Sequence, residues 1–586
     1  MSKSDRHSHT SRSVVPLAPP GAEPGTDYPL AGKPTPLLLK YLLDRPLAWA
    51  PDQQIIYRDL KALTYRGFFE RIQRLANVLT QLGIGNGDRV GVLDYDSHRY
   101  LELYFAVPMI GAVLHTVNIR LSPDQLCFTI GHAEDKALFI HTDFVSLVEQ
   151  MISRLPTVQH RVLLSDDACP AKSKAGFAGE YEALLLSSPT EFSFPDFEED
   201  TVATLFYTTG TTGEPKGVFY THRQIVLHTF IVGFTLATGR HPVGLSTDDV
   251  YLPLTPMFHA HAWGVPYMAT ALGLKQIYPG RFEPHTLVKL ITTHQPTFSH
   301  GVPTILRTLL QNPAFRDLDL SQLKMLIGGS ALTEDLGRAS RARGIRLLTG
   351  YGMSETCPVV ALGQAKPSLS KLEPEAQADL LCRATLLTPF VRARIVDDQG
   401  RTLPGGQEHA GELVLQAPWL TQGYFKAPEQ SGHLWRDGWL HTGDVGTLDS
   451  QNYLRITDRI KDVIKIGGEW ISSFELENAL NQHPAVDEVA VIGLPDPKWG
   501  ERPHALVVLL DGLSSKASAQ DLVAHLHHCI EFGSIHKRAI LTSIQIVESL
   551  PKTSVGKLDK KALRARLNTS SAHPQKHKGS SPKTEV

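Results

Sequence analysis

Residues 207–217 read YTTGTTGEPKG, eleven positions with four Thr, three Gly, one Pro and one Lys. The run before it, VATLFY at 202–207, is apolar and β-prone, so a strand leads into the loop. Glycines let a backbone turn tightly and close on an anion. Threonine hydroxyls and free N–H groups donate to phosphate oxygens, and Lys216 adds a mobile positive charge. A Walker A loop would need Gly-Lys followed by Ser or Thr. Here Lys216 stands between Pro215 and Gly217. The stretch therefore predicts a phosphate-cradling loop that is not a P-loop. A polar turn is the plainer alternative.

The rest of the chain must supply a scaffold for it. At 586 residues the chain is too long for one core. A formal net charge of −2 gives no basic field for nucleic acid. Cys127, Cys169, Cys357, Cys382 and Cys529 form no C-x-x-C pair, which argues against a zinc site or a disulfide framework and fits a reducing, cytoplasmic setting. The first fifteen residues are polar and lack the apolar core of a signal peptide. No run reaches the roughly 18 apolar residues of a membrane span, so a transmembrane segment is not expected, and peripheral membrane contact stays open. Residues 1–28 and 568–586 read as disordered tails.

Phe68, Phe69, Ile72, Leu75, Ala76, Leu79 and Leu82 recur at helical spacing, predicting a helix over 65–82 that Gly83 stops. Short apolar strands at 90–93, 113, 137–140, 162–164, 250–252, 325–327 and 346–348 alternate with helical segments near 101–110 and 222–236. That alternation predicts parallel sheets covered by helices. From 391 onward the texture changes to short strands with Gly/Asp turns, and from about 460 to a small α+β domain. The expected fold class is α/β. A large N-terminal domain, 29–459, would hold parallel-containing sheets with helices plus a β-rich subdomain. A small C-terminal α+β domain would span 460–567.

Further motifs follow in order: PMFHAHAWGVPY at 256–267, IGGSA at 327–331, TGYGMSET at 349–356, LHTGD at 440–444, TDRIKD at 457–462, IKIGGEW at 464–470 and PKTSVGKLDKKALR at 551–564. With the phosphate loop, this set resembles the AMP-forming acyl- and aryl-CoA synthetase superfamily, in its fatty-acid–CoA ligase branch. The resemblance spans about residues 39–567.

That resemblance implies ATP and coenzyme A as co-substrates and Mg²⁺ as cofactor. ATP would be held by Thr208, Thr209, Gly210, Thr211, Thr212, Gly213 and Lys216. Gly329, Thr349, Gly350, Tyr351, Gly352 and Ser354 would surround the nucleotide, with Tyr351 stacked on adenine. Glu355 would bind the metal together with Thr208, a carboxylate oxygen being a hard ligand suited to Mg²⁺. Asp444 would accept from the ribose hydroxyls, and Arg459 would meet phosphate or ribose. Lys461 would mark the hinge of a mobile small domain, and in the fatty-acid branch Lys461, Lys465 and Trp470 would also approach the nucleotide. Gly467, Gly468, Glu469 and Trp470 would form the face that meets coenzyme A. Lys557 would be the catalytic lysine, bridging carboxylate and α-phosphate as charge moves.

The segment 256–267 bears on the acid. The resemblance gives His259 a place at the adenylation site and makes Trp263 the gate of an acyl tunnel. From 254 to 274 there is no Asp or Glu to pair with an ammonium group, which favours an uncharged, apolar acid. His261 receives no role. The implied reaction makes an acyl-adenylate and pyrophosphate, then an acyl-CoA and AMP. Rival readings are a ligase loading a separate carrier protein, a ligase for an aromatic or short-chain acid, and a binding protein that has lost catalysis. Expected partners are small molecules only, with a homodimer by analogy.

Overall fold

The helix forecast from the apolar spacing near 70 forms as Tyr65–Gln81, with Phe68, Ile72, Leu75, Ala76 and Leu79 on its buried face. Thr64 caps it by accepting from the Gly67 N–H at 3.1 Å, and Gly83 takes a left-handed φ of +69° just past its end. The computed structural model describes residues 35–167, 176–208, 214–238, 244–368, 372–406, 409–466, 469–510, 517–531, 535, 537, 542–552 and 558–571. The chain divides into two units, Met1–Pro36 and Leu37–Val586, and every element named below lies in the second. The tail expected over 1–28 lies outside the described residues.

Two sheets are built as the alternation requires, because a strand that follows a helix on the same sheet pairs in parallel. The first runs in the order Gly179–Glu180, His160–Leu164, Asp135–His141, Arg89–Leu93, Val113–Thr116, Val202–Thr208, Lys216–Thr221. Its pairs are parallel except the last, which is an antiparallel hairpin. The second places Arg346–Gly352, Lys324–Ile327, Phe298–Gly301, Val250–Pro253, Lys275–Tyr278 and Gln54–Tyr57 side by side in parallel. Antiparallel strands close both of its edges.

The helix His98–Met109 is buried along its whole length, and residues of both sheets share one apolar core with it. It is an interior helix, and its charged residues are paired where they are buried: Glu102 with Arg71 and Arg99 with Asp166. No helix among the described residues is long and apolar enough to cross a membrane.

Beyond these sheets the chain turns antiparallel, with Arg392–Val396, Gly411–Gln416, Trp439–Leu448, Trp435–Arg436 and Leu454–Arg459 in one twisted sheet. A further sheet joins Glu469–Ile471, Ile464–Ile466, Gly500–Leu509, Val486–Asp496 and Ser543–Ile546, and packs a separate apolar core with the helices Ser473–Asn481 and Ala519–Glu531.

Two expectations change. The strand read as 346–348 runs on to Gly352, because Val359–Leu362 folds back and pairs with it in antiparallel register. The helix Lys560–Ser571 takes in the first four residues of the tail expected over 568–586, and residues 572–586 lie outside the described residues.

Candidate active site

Thr208 and Lys216 face each other in register across the hairpin of Val202–Thr208 and Lys216–Thr221. The stretch between them therefore joins two antiparallel strands at the edge of the sheet. Thr209, Gly210, Thr211, Thr212 and Gly213 lie outside the described residues.

Lys216 Nζ sits 4.8 Å from the centre of the Tyr424 ring. The Tyr424 hydroxyl donates to Glu355 Oε1 at 2.7 Å. Glu355 is only 7% exposed, and burial pushes its carboxyl up against the opposing pull of Tyr424, Arg459 and Lys216. The turn that carries it is tied to the hairpin: Tyr220 donates to the Ser354 carbonyl at 2.6 Å and accepts from the Cys357 N–H at 2.8 Å.

The adjoining strand Arg346–Gly352 brings Thr349, Gly350, Tyr351 and Gly352 to the same region. Tyr351 donates to Asp444 Oδ2 at 2.8 Å. Asp444 lies within Trp439–Leu448, in register with Arg459 of the neighbouring strand, and Arg459 Nε is 3.3 Å from Asp444 Oδ1. A nucleoside pocket lined by an aromatic ring and a buried carboxylate fits this arrangement. Thr349 is committed elsewhere, since its hydroxyl donates to the Leu381 carbonyl at 2.5 Å. Gly352 has no room for a side chain, because a Cβ there would stand 1.8 Å from the Pro358 carbonyl oxygen.

Past Lys324–Ile327, Gly329 takes a left-handed φ of +79°. Gly328, which the sequence reading passed over, is wedged: a Cβ there would lie 3.0 Å from the Gly350 carbonyl and 3.3 Å from Trp263 Cη2. The strand Arg346–Gly352 and the indole thus close on one glycine.

Trp263 belongs to an unusual turn. Ala260, His261, Ala262 and Trp263 have φ of +44°, +55°, +46° and +60°, and Gly264 follows at +74°. Such a conformation costs about 1–2 kcal/mol for each non-glycine residue, so the surroundings must hold it. Asp96 Oδ1 accepts from the Met257 N–H at 2.7 Å, Tyr104 donates to the Met257 carbonyl, and Thr116 donates to the Phe258 carbonyl at 3.1 Å. The His261 ring is enclosed by Phe206, Tyr220 and Tyr267, so it anchors the turn by packing. His259 immediately precedes the turn and its carbonyl accepts from Ala262 at 3.0 Å. The Trp263 ring is buried, 5.2 Å from that of His300. Burial pushes His228, His261 and His300 down to about 3, leaving all three neutral at physiological pH.

The segment expected to hinge is held on both sides of Lys461. Asp458 Oδ2 accepts from the Ser473 N–H at 2.6 Å and from its hydroxyl at 2.7 Å. Arg564 pairs with Asp462 at 2.8 Å, and Lys560 pairs with Glu477 at 2.7 Å. Lys465 is in register with Trp470, and its N–H donates to Glu501 at 2.7 Å. Gly467, Gly468 and Lys557 lie outside the described residues, as do the side chains of Glu469 and Trp470. Lys552 and Leu558 bridge across the flanks of the Lys557 segment, and Lys552 pairs with Glu488 at 2.6 Å.

Sequence reasoning missed Tyr424, Tyr220 and Gly328. Only Gly328, half of the Gly-Gly pair in IGGSA, carried a local signal.

Residues 43–425 match the family model described as AMP-binding enzyme, and residues 475–557 match the AMP-binding enzyme C-terminal domain. A long-chain-fatty-acid–CoA ligase of Thermus thermophilus is 40% identical over 531 residues, 89% of this chain and 94% of the relative. A 3-methylmercaptopropionyl-CoA ligase of Ruegeria pomeroyi is 37% identical over 541 residues, 91% of this chain and 97% of the relative. The crystal structure of an anthranilate CoA ligase with anthranoyl-AMP aligns at a TM-score of 0.80 and 24% identity, covering 92% of this chain and 99% of that one. At that identity the likeness is one of fold. The chain belongs to the AMP-binding enzyme family, as an adenylate-forming acyl-CoA ligase.

Proposed function

We propose that this ligase activates a medium- or long-chain fatty acid. The observation that carries the reading is the uncharged wall around Trp263. His228, His261 and His300 are held neutral there, and the chain from 254 to 274 has no carboxylate. A charged acid tail would stay unpaired against such a wall, at a large desolvation cost.

In the adenylation step the acid's carboxylate attacks the α-phosphate of ATP, and pyrophosphate leaves. Thr208, Lys216 and the hairpin loop 209–213 orient the phosphates. Tyr351 offers its face to adenine, Asp444 holds the ribose, and Arg459 meets phosphate or ribose. Lys557 stabilises charge as it passes from carboxylate to phosphate. Glu355 with Thr208 would hold Mg²⁺, a carboxylate and a hydroxyl oxygen being hard donors of the kind this ion takes. Among the described residues no group of three or more His, Cys, Asp or Glu could hold a metal. When bound, Mg²⁺ neutralises phosphate charge. The small domain, 460–567, then turns about Lys461, and the segment from Gly467 to Trp470 admits the thiol of coenzyme A, which displaces AMP. No covalent enzyme intermediate is needed, so rate comes from positioning and electrostatics.

The test is AMP release with coenzyme A across straight-chain acids from short to long. A rise in kcat/KM with chain length supports the reading. A second reading has its own support: the Ruegeria relative is named for a short sulfur-containing acid. Including 3-methylmercaptopropionate in the panel separates them, since a maximum at that acid would overturn the fatty-acid assignment.

A further inference from the structure

One side chain joins the Lys216 ammonium to the Glu355 carboxylate. The Tyr424 ring carries Lys216 Nζ at 4.8 Å, and its hydroxyl donates to Glu355 Oε1 at 2.7 Å. Tyr424 is itself fixed from three sides. It bridges to Val218 on the hairpin strand, and its N–H donates to Ser431 Oγ at 2.8 Å. The next residue, Phe425, donates to the Gly217 carbonyl at 2.8 Å. The same loop reaches the Glu355 turn directly, since the Thr421 N–H donates to the Glu355 carbonyl at 3.1 Å. A lysine and a glutamate brought together in a half-dry site tend to collapse into an ion pair. Each would then be withdrawn from any third group. A tyrosine between them prevents this without adding charge: its face attracts the cation, and its hydroxyl orients the anion.

We propose that Tyr424 is a positioning residue, a spacer that holds the Lys216 ammonium and the Glu355 carboxylate apart and aimed, so that both are set before the metal–nucleotide complex arrives. The proposal rests on the reading of Lys216 as a nucleotide-binding residue and Glu355 as a metal ligand. Partners that orient a metal ligand typically matter by about 10- to 100-fold in metal affinity.

The experiment is equilibrium binding, followed by calorimetry on the full chain. A non-hydrolysable ATP analogue is titrated into wild type, Tyr424→Phe, Tyr424→Leu and Glu355→Gln, each at a series of Mg²⁺ concentrations, with a thermal melt of each protein. Tyr424→Phe removes one oxygen and keeps the ring. It should leave analogue binding without Mg²⁺ unchanged, while the Mg²⁺ concentration for half-maximal enhancement rises about 10-fold. Tyr424→Leu should also weaken binding without Mg²⁺, because Lys216 loses its platform. A Tyr424→Phe protein whose Mg²⁺ midpoint stays within about twofold of wild type, while Glu355→Gln shifts it, overturns the spacer and leaves the metal reading standing. A Glu355→Gln protein with an unchanged midpoint overturns the metal reading and the spacer with it.

Discussion

The Tyr351 hydroxyl donates to Asp444 Oδ2 at 2.8 Å, joining a strand of the large mixed sheet to a strand of the antiparallel sheet. The other oxygen of that carboxylate faces Arg459 Nε at 3.3 Å. Asp444 therefore sits at a seam, and its free valences are few. Asp444→Asn keeps the shape and the acceptor for Tyr351 but removes the charge. Hydrogen bonds to a charged group are worth about 1.5–3 kcal/mol, so KM for ATP should rise about 10- to 100-fold, with a much smaller change in KM for the acid. Steady-state kinetics with each substrate varied in turn checks this. A melting temperature that falls while KM for ATP holds would reduce Asp444 to a structural clamp.

Gly352 is required for space. An added Cβ would meet the Pro358 carbonyl oxygen at 1.8 Å and its carbon at 2.6 Å, and backbone cannot step aside as a side chain can. Gly352→Ala should cost about 3 kcal/mol or more. Gly85, where a Cβ would meet nothing within 4 Å, is the control, and Gly85→Ala should be close to neutral. Urea midpoints of the two variants give the comparison. Equal midpoints would mean that the 352–358 turn adapts.

How far the sequence carries can be seen in particular residues. Tyr65–Gln81 was legible because one helix face and its two ends are written in consecutive residues. The hairpin at Thr208 and Lys216 was legible as a loop but not as a hairpin, since the pairing of its two strands is a property of the sheet. Gln54–Tyr57 pairs with Lys275–Tyr278 across more than two hundred residues, and no local pattern announces that. Tyr424 and Tyr220 looked like ordinary aromatics because their partners lie 69 and 134 residues away. The left-handed turn at 260–264 was invisible for another reason. Only Gly264 of its five residues favours positive φ, and tertiary pins override the preference of the rest.

Asp96 is one of those pins, and it carries a pH signature. Burial pushes its carboxyl up to about 7, with the Met257 N–H and Arg120 pulling the other way and Asp94 adding to the rise. A carboxyl whose folded value exceeds its unfolded value of about 3.9 binds more protons when folded. Its contribution to stability is fully present below about pH 4 and is lost as pH rises towards 7, at up to about 1.4 kcal/mol per pH unit. Asp96→Asn keeps an acceptor for Met257 without the charge. The melting temperature of Asp96→Asn minus that of wild type should therefore become more positive from pH 5 to pH 8. A flat difference across that range would mean that Asp96 ionises as a solvated carboxyl does.

Lys557 follows from the terminal signature. If the lysine serves only the first half-reaction, Lys557→Ala should abolish acyl-adenylate formation while coenzyme A still reacts with supplied acyl-adenylate. ATP–pyrophosphate exchange reports the first, and thioester formation from synthetic adenylate the second. Equal loss of both would refute a small domain that presents different faces in turn.

Trp263 bears on the acid itself. Its ring is buried, with His300 on one side and Gly328 against its edge. It is held there by a turn whose backbone would relax if its pins were removed, so its position is imposed by the fold around it. An indole in that place can close an apolar path when no chain is present. Burying a methylene is worth about 0.8 kcal/mol, so an enclosed chain should improve kcat/KM by about fourfold per carbon until the path is full. Trp263→Ala leaves the mouth open to water and should flatten or shift that dependence, with a weaker effect on KM for ATP. Emptying a buried indole site also costs about 3–5 kcal/mol of stability, so Trp263→Phe is measured beside it to separate a lost gate from a loosened fold. The readout is kcat/KM across straight-chain acids for the three proteins. A chain-length profile of unchanged shape, with only the melting temperature lowered, makes Trp263 a core residue and removes the gate.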